Sequence, residues 1–89
     1  MSDKTKPVAK IQMFPLSAAV WAKTTPKGVF YSVSLERSYR DDSGKWQTTS
    51  HFNASDMLLV SKLANLVDTK VRELRAADRQ AGHLDEEVA

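Results

Sequence analysis

Cysteine is absent from the 89 residues, so disulfides, thiol catalysis and cysteine-based zinc sites are excluded. Glycine is scarce, with three residues standing as isolated turn or terminator positions, none in a phosphate-binding loop. No apolar run approaches membrane-spanning length, and the opening Met-Ser-Asp-Lys-Thr-Lys lacks the apolar core of a signal peptide. The expectation is a cytoplasmic protein that makes no membrane contact. Catalytic signatures are missing too. His51 and His83 lie far apart, the adjacent Asp41 and Asp42 read as turn residues, and no nucleophile motif or metal-ligand cluster occurs. The chain is therefore expected to be no enzyme and to need no cofactor or metal.

What remains is an ordinary globular composition, 42% hydrophobic and 27% charged, too apolar for wholesale disorder. A chain this short sits near the size at which one core is marginally stabilising. Without covalent staples, oligomerisation is the expected source of further buried area. The formal net charge of +2 is unevenly spread. From Lys4 to Phe52, the cations Lys4, Lys6, Lys10, Lys23, Lys27, Arg37, Arg40 and Lys45 face only Glu36, Asp41 and Asp42. Beyond His83 come Asp85, Glu86 and Glu87 with no cation. A basic front and an acidic tail suit a polyanionic partner, although ordinary charge scatter gives the same count.

The strongest local signal runs from Gly28 to Phe52. Two arms rich in β-branched, aromatic and hydroxyl residues flank Asp41-Asp42-Ser43-Gly44, a turn with backbone-bonding aspartates and a glycine free to take positive φ. Taking those four residues as the loop pairs Arg40 with Lys45, Tyr39 with Trp46, Arg37 with Thr48, Leu35 with Ser50 and Val33 with Phe52. One face then carries Tyr31, Val33, Leu35, Tyr39, Trp46 and Phe52. The other carries Phe30, Ser32, Ser34, Glu36, Ser38, Arg40, Lys45, Gln47, Thr49 and His51, and a one-residue slip would exchange the faces of one arm. Upstream, Lys10–Phe14 reads as a short strand closed by Pro15, and Ala18–Lys23 as a further strand before the turn cluster at Thr24–Gly28.

Asn53 opens a helix, with Asp56 placed to return a capping-box bond and Phe52 and Met57 at staple positions. Val60, Leu63, Val67, Val71 and Leu74 recur at three- and four-residue steps, flanked by Leu59 and Leu66. Gly82 reads as the terminator. The resulting fold class is α+β: a four-stranded antiparallel meander sheet followed by one long C-terminal helix. Residues 1–9 are expected as a flexible basic arm, 10–82 as one β-β-β-β-α domain, and 83–89 as a flexible acidic tail. The stripe is wider than the Val33, Leu35 and Phe52 face needs, so Val60, Val67, Val71 and Leu74 are expected at a homodimer interface, the alternative being that they complete the monomer core.

The order of elements, carried by Gly-Val-Phe-Tyr-Ser-Val-Ser-Leu-Glu-Arg-Ser-Tyr-Arg-Asp-Asp-Ser-Gly-Lys-Trp, then Phe-Asn-Ala-Ser-Asp-Met-Leu-Leu-Val-Ser-Lys-Leu and Val-Arg-Glu-Leu, resembles the positive-cofactor-four family of single-stranded-DNA-binding transcriptional coactivators. The likeness covers about Gly28 to Leu74 and rests on residue classes rather than rare signatures. Pro15, the run Ala18-Ala19-Val20, and a second hairpin arm with Lys45 as its one basic residue depart from the family. The resemblance implies a curved sheet, pairing of two subunits mainly through their helices, and a basic channel for unpaired DNA. The chain also looks like small proteins of bacteria and their mobile elements.

Together these readings lead to an expectation of a weakly sequence-specific single-stranded DNA- or RNA-binding homodimer, an accessory in transcription, replication or repair. Lys10, Lys23, Arg40 and Lys45 would meet phosphates, and Trp21 and Phe30 would stack on bases. Ser32, Ser34, Ser38, Gln47 and Thr49 would hydrogen-bond the backbone. Against this, Tyr39 and Trp46 equally read as a cross-strand aromatic pair, and Trp21 as core. The competing function is a protein–protein module or mobile-element regulator without a nucleic-acid ligand, with the acidic tail offering a surface for a protein partner.

Overall fold

The computed structural model describes residues 6–88, with side chains as far as residue 80. Four strands, β1 (Ala9–Met13), β2 (Leu16–Thr25), β3 (Gly28–Arg40) and β4 (Trp46–Thr49), form one antiparallel sheet in the order β1-β2-β3-β4. A 3-10 turn at Ala54–Asp56 leads into the single helix α1 (Met57–Val88). This is the α+β meander-plus-helix architecture expected from the sequence. Its bounds differ in instructive ways. β2 starts directly after Pro15, because the β1–β2 loop is only Phe14-Pro15, joined by a cis peptide bond. Residues 1–5 of the expected arm lie outside the described residues, but Val8 and Ala9 are already tied to β2 through the Val8 amide and the Val20 carbonyl. Gly82 does not stop the helix, whose backbone continues to Val88. The side chains of the expected acidic tail lie outside the described residues.

The core is centred on β2 rather than on the long hairpin. Leu16, Ala18 and Val20 alternate inward and are sealed by Leu63 and Val67 of α1. Ile11 and Met13 of β1 pack around them, as do Leu35, Phe52, Leu59, Val60, Val71 and Leu74. Small side chains at Ala9 and Ala18 leave room for a helix, and α1 lies chiefly over β1 and β2. Two expectations are corrected by this placement. Val67, assigned to a dimer interface, is buried in the chain's own core, and Val60, Val71 and Leu74 are half-buried against it. Conversely, Val33, expected under the helix, is 43% exposed, because α1 does not reach across β3.

Entry into the helix follows the sequence closely. The Asp56 carboxylate accepts the Asn53 backbone amide at 2.9 Å, the return half of a capping box. Arg37 adds a tie that the pattern does not announce. Its Nε donates to the His51 carbonyl at 3.1 Å and lies 3.5 Å from Asp56 Oδ2, and its guanidinium sits 5.7 Å from the centre of the Tyr39 ring. One β3 side chain thus holds the connection that swings the chain from β4 into α1. Near the other end, the Tyr31 hydroxyl donates to Asp78, linking the start of β3 to about the sixth turn of the helix.

Candidate functional site

Register decides which side chains share a face. In β2 and β3 the pairs Lys23↔Phe30, Trp21↔Ser32, Ala19↔Ser34 and Ser17↔Glu36 all project away from α1, since Leu16, Ala18 and Val20 project toward it. Lys10 and Gln12 of β1 join them through Lys10↔Ala19 and Gln12↔Ser17. Ser38 and Arg40 continue the same face along β3. Eight expected site residues (Lys10, Trp21, Lys23, Phe30, Ser32, Ser34, Ser38 and Arg40) are thus brought onto one open surface.

The second arm of the hairpin falls the other way. Arg40 pairs with Trp46, Tyr39 with Gln47, Ser38 with Thr48 and Arg37 with Thr49, one residue out of the expected register. Turn chemistry explains the shift. Asp41 and Lys45 form the closing pair, through Asp41 N–H to the Lys45 carbonyl at 2.9 Å, and Gly44 returns its amide to the Asp41 carbonyl. Gly44, with φ of 87°, is therefore the left-handed residue of a bulged three-residue loop rather than the last residue of a four-residue one. Consequently Gln47 and Thr49 lie on the helix side and leave the candidate surface, and Lys45 sits in the turn. Trp46 and Thr48 take their places. Tyr39 and Trp46 are on opposite faces and form no cross-strand pair. Trp46 packs edge-on against Phe14 at 5.7 Å instead.

Gln47 has a different task. Its amide donates to Asp41 Oδ2 at 3.0 Å, while Asp41 Oδ1 accepts from the Ser43 amide, the Ser43 hydroxyl and the Lys45 amide. Donors converging on one carboxylate, the Gln47 amide foremost and the Ser43 hydroxyl next, lower its pKa to about 2. The charge of Asp41 is committed to the turn.

On the open face a shallow hollow of about 370 Å³ is lined by Lys10, Gln12, Ser17, Trp21, Ser34, Glu36, Ser38 and Thr48, among others. Trp21 is half-buried, and its indole N–H donates to the Ser34 hydroxyl at 3.0 Å, which pins the ring across the strands. Phe30 and Trp46 are more than half exposed at opposite ends of the face. The Arg40 guanidinium lies 5.6 Å from the Trp46 ring centre. Among the described residues no carboxylate stands at ion-pair distance from Lys10, Lys23 or Arg40. Among the described residues Glu36 is the one acid on this face.

Gln12, Ser17, Phe14, Trp46 and Thr48 belong to this region although the sequence pattern left them out. The signal for Trp46 and Thr48 was Gly44 itself, whose positive φ marks the bulge. For Gln12 and Ser17 it was the shortness of the Phe14-Pro15 connection, which sets β1 against β2 in register. Among the described residues no group of acidic and histidine side chains has metal-binding geometry. No described helix is long and apolar enough to cross a membrane. The chain matches no family model, no curated protein and no solved structure, so a functional reading rests on the geometry of this face.

Proposed function

We propose that this chain is a non-enzymatic, homodimeric module that binds single-stranded DNA or RNA with little sequence preference through the open face of its sheet. The observation that carries the reading is a stripe of hydroxyls and cations, the latter without a carboxylate among the described residues, between two aromatic stations on the face that the helix leaves bare. Phe30 and Trp46, the latter level with Arg40, are more than half exposed and stand ten residues apart along β3, about 33 Å, with the half-buried Trp21 between them level with Ser32. Exposed rings at the two ends stack on any unpaired base. Lys10, Lys23 and Arg40 meet phosphates, and Ser17, Ser34, Ser38 and Thr48 donate to the sugar–phosphate backbone without reading sequence. The resemblance of the Gly28–Leu74 region to the positive-cofactor-four family supports the same reading.

Glu36 in the middle of the stripe keeps affinity modest and gives the reading a signature. Replacing it with Gln removes a repulsion and should tighten binding of an oligothymidine severalfold. Fluorescence polarisation at two salt concentrations tests the whole proposal: binding must weaken as salt rises, with a slope near −0.7 per phosphate contact. Absence of binding at low salt, or binding without a salt slope, sinks it.

The homodimer is supported by apolar side chains that the chain leaves exposed. Val29, Val33 and Tyr39 on the uncovered part of the helix side, with Met57, Leu58 and Leu66 on α1, are among these. One observation favours the competing protein-binding reading: Phe14 and Trp46 form an exposed apolar pair at the loop end of the sheet. Trp46→Ala separates the two, since it weakens oligothymidine binding only if the ring stacks on bases.

A further inference from the structure

Most helix charges are already engaged. Lys70 pairs with Glu73 at 3.8 Å and Arg72 with Asp68 at 2.8 Å, while Asp78 accepts the Tyr31 hydroxyl. Lys62, Arg75 and Arg79 are left, among the described residues, without a carboxylate at ion-pair distance. The two arginines stand one turn apart on one helix face, a like-charge spacing that is unfavourable unless an anion sits between them. With Asp78, Gly28 and Val29 they line an open hollow of about 380 Å³ between α1 and the β2–β3 turn.

That turn is also the rim of the open face. It is only Pro26-Lys27, held by the Thr25 hydroxyl donating to the Gly28 carbonyl at 3.0 Å and accepting the Lys27 amide at 3.2 Å. Lys23 and Phe30 on the binding face sit two residues behind the Thr25↔Gly28 pair, about 7 Å along the strands. At Gly28 nothing lies within 4 Å of where a Cβ would stand, so the backbone there is open to close approach. Lys23, Lys27, Arg75 and Arg79 therefore trace a cationic path around the end of the sheet.

We propose that a nucleic-acid strand lying on the open face continues over the β2–β3 turn and is gripped on the helix side by Arg75 and Arg79, a second phosphate-binding station. The inference rests on the nucleic-acid reading above. Guanidinium pairs suit phosphate because each offers a planar fork of donors. A strand confined to the open face does not reach them, so the station acts only on longer ligands.

The test compares a six-nucleotide and a twenty-nucleotide oligothymidine by fluorescence polarisation, using the full chain, the double variant R75A/R79A and the charge-keeping R75K/R79K. The expected result for R75A/R79A is unchanged hexamer affinity and about threefold to tenfold weaker binding of the twenty-mer, with a salt slope shallower by about 1.4 for two lost contacts. R75K/R79K should keep most of the twenty-mer affinity. Equal loss on both lengths, or none on either, overturns the second station while leaving the open face standing. Binding of neither oligonucleotide to the unaltered chain overturns both readings. Loss of binding to a polyglutamate peptide with twenty-mer affinity intact would assign the arginines to an acidic protein segment and overturn the proposal.

Discussion

At the scale of single residues, Asp41 and Arg37 hold the two bends that make the sheet usable. Asp41 keeps its carboxylate far below the ordinary value of 3.8 because the Gln47 amide and the Ser43 hydroxyl, with nearby backbone amides, all donate to it. A depressed carboxylate stabilises the folded state at pH values above its ordinary one, and that contribution fades as pH falls from about 3.8 toward 2. An NMR titration of the Asp41 carboxyl should therefore show a midpoint near 2, rising toward the ordinary range in a Gln47→Ala variant. Tyr31 works with the opposite sign. Its bond to Asp78, then burial and the Asp78 charge, raise its pKa against the opposing pull of Arg75. The link is intact below the ordinary tyrosine value of 10.0 and is lost as pH climbs through the raised one. Arg37 is mostly covered and bonds the His51 carbonyl beside Asp56. Arg37→Ala should cost about 1–2 kcal/mol in urea unfolding, since it frees the β4–α1 connection and strips a cation from Asp56.

At the scale of elements, the β3–β4 hairpin shows how a single turn residue sorts a surface. Alternation in β3 was legible in the sequence and placed Phe30, Ser32, Ser34, Ser38 and Arg40 together. The second arm was legible as a strand, but the phase of its alternation depends on how many residues the turn spans. Period-two patterns cannot supply that number, since Trp46-Gln47-Thr48-Thr49 is amphipathic in neither phase. Gly44 supplies it through a left-handed backbone that side chains adopt at a cost. Gly44→Ala should destabilise the chain by about 1 kcal/mol, with NMR showing the loss concentrated in the amides of β4. The helix tells a related story. Its stripe was plain from spacing, but its partner strand was not, because Ala18-Ala19-Val20 carries little hydrophobic weight by itself. Packing favoured that small-residue strand, so the stripe faces β2 and little of Val67 is left for a second subunit. Leu63→Ala, at the fully buried centre, should cost about 2–5 kcal/mol, enough to unfold much of so small a chain.

At the scale of the whole molecule, the chain is a thin two-layer slab of 60 × 33 × 16 Å, with a radius of gyration of 16.7 Å against about 12 Å for a compact chain of this length. One layer is a helix covering half a sheet, the other a sheet face with no cover. The uncovered half of the helix side is apolar at Val29 and Val33, and pairing through it would leave both open faces free. Sedimentation equilibrium should show a dimer for the unaltered chain and a monomer for a Val33→Asp, Leu66→Asp variant. The open face is polar, aromatic and positive, and its occupation by nucleic acid is the central claim. Amide and indole chemical-shift mapping during titration with an oligothymidine tests it most directly. The Trp21 indole N–H and the amides of Ser17, Ser34, Ser38, Trp46 and Thr48 should move together and saturate, while those of Leu59–Leu74 stay still. Shifts confined to α1, or none at all at low salt, would contradict it.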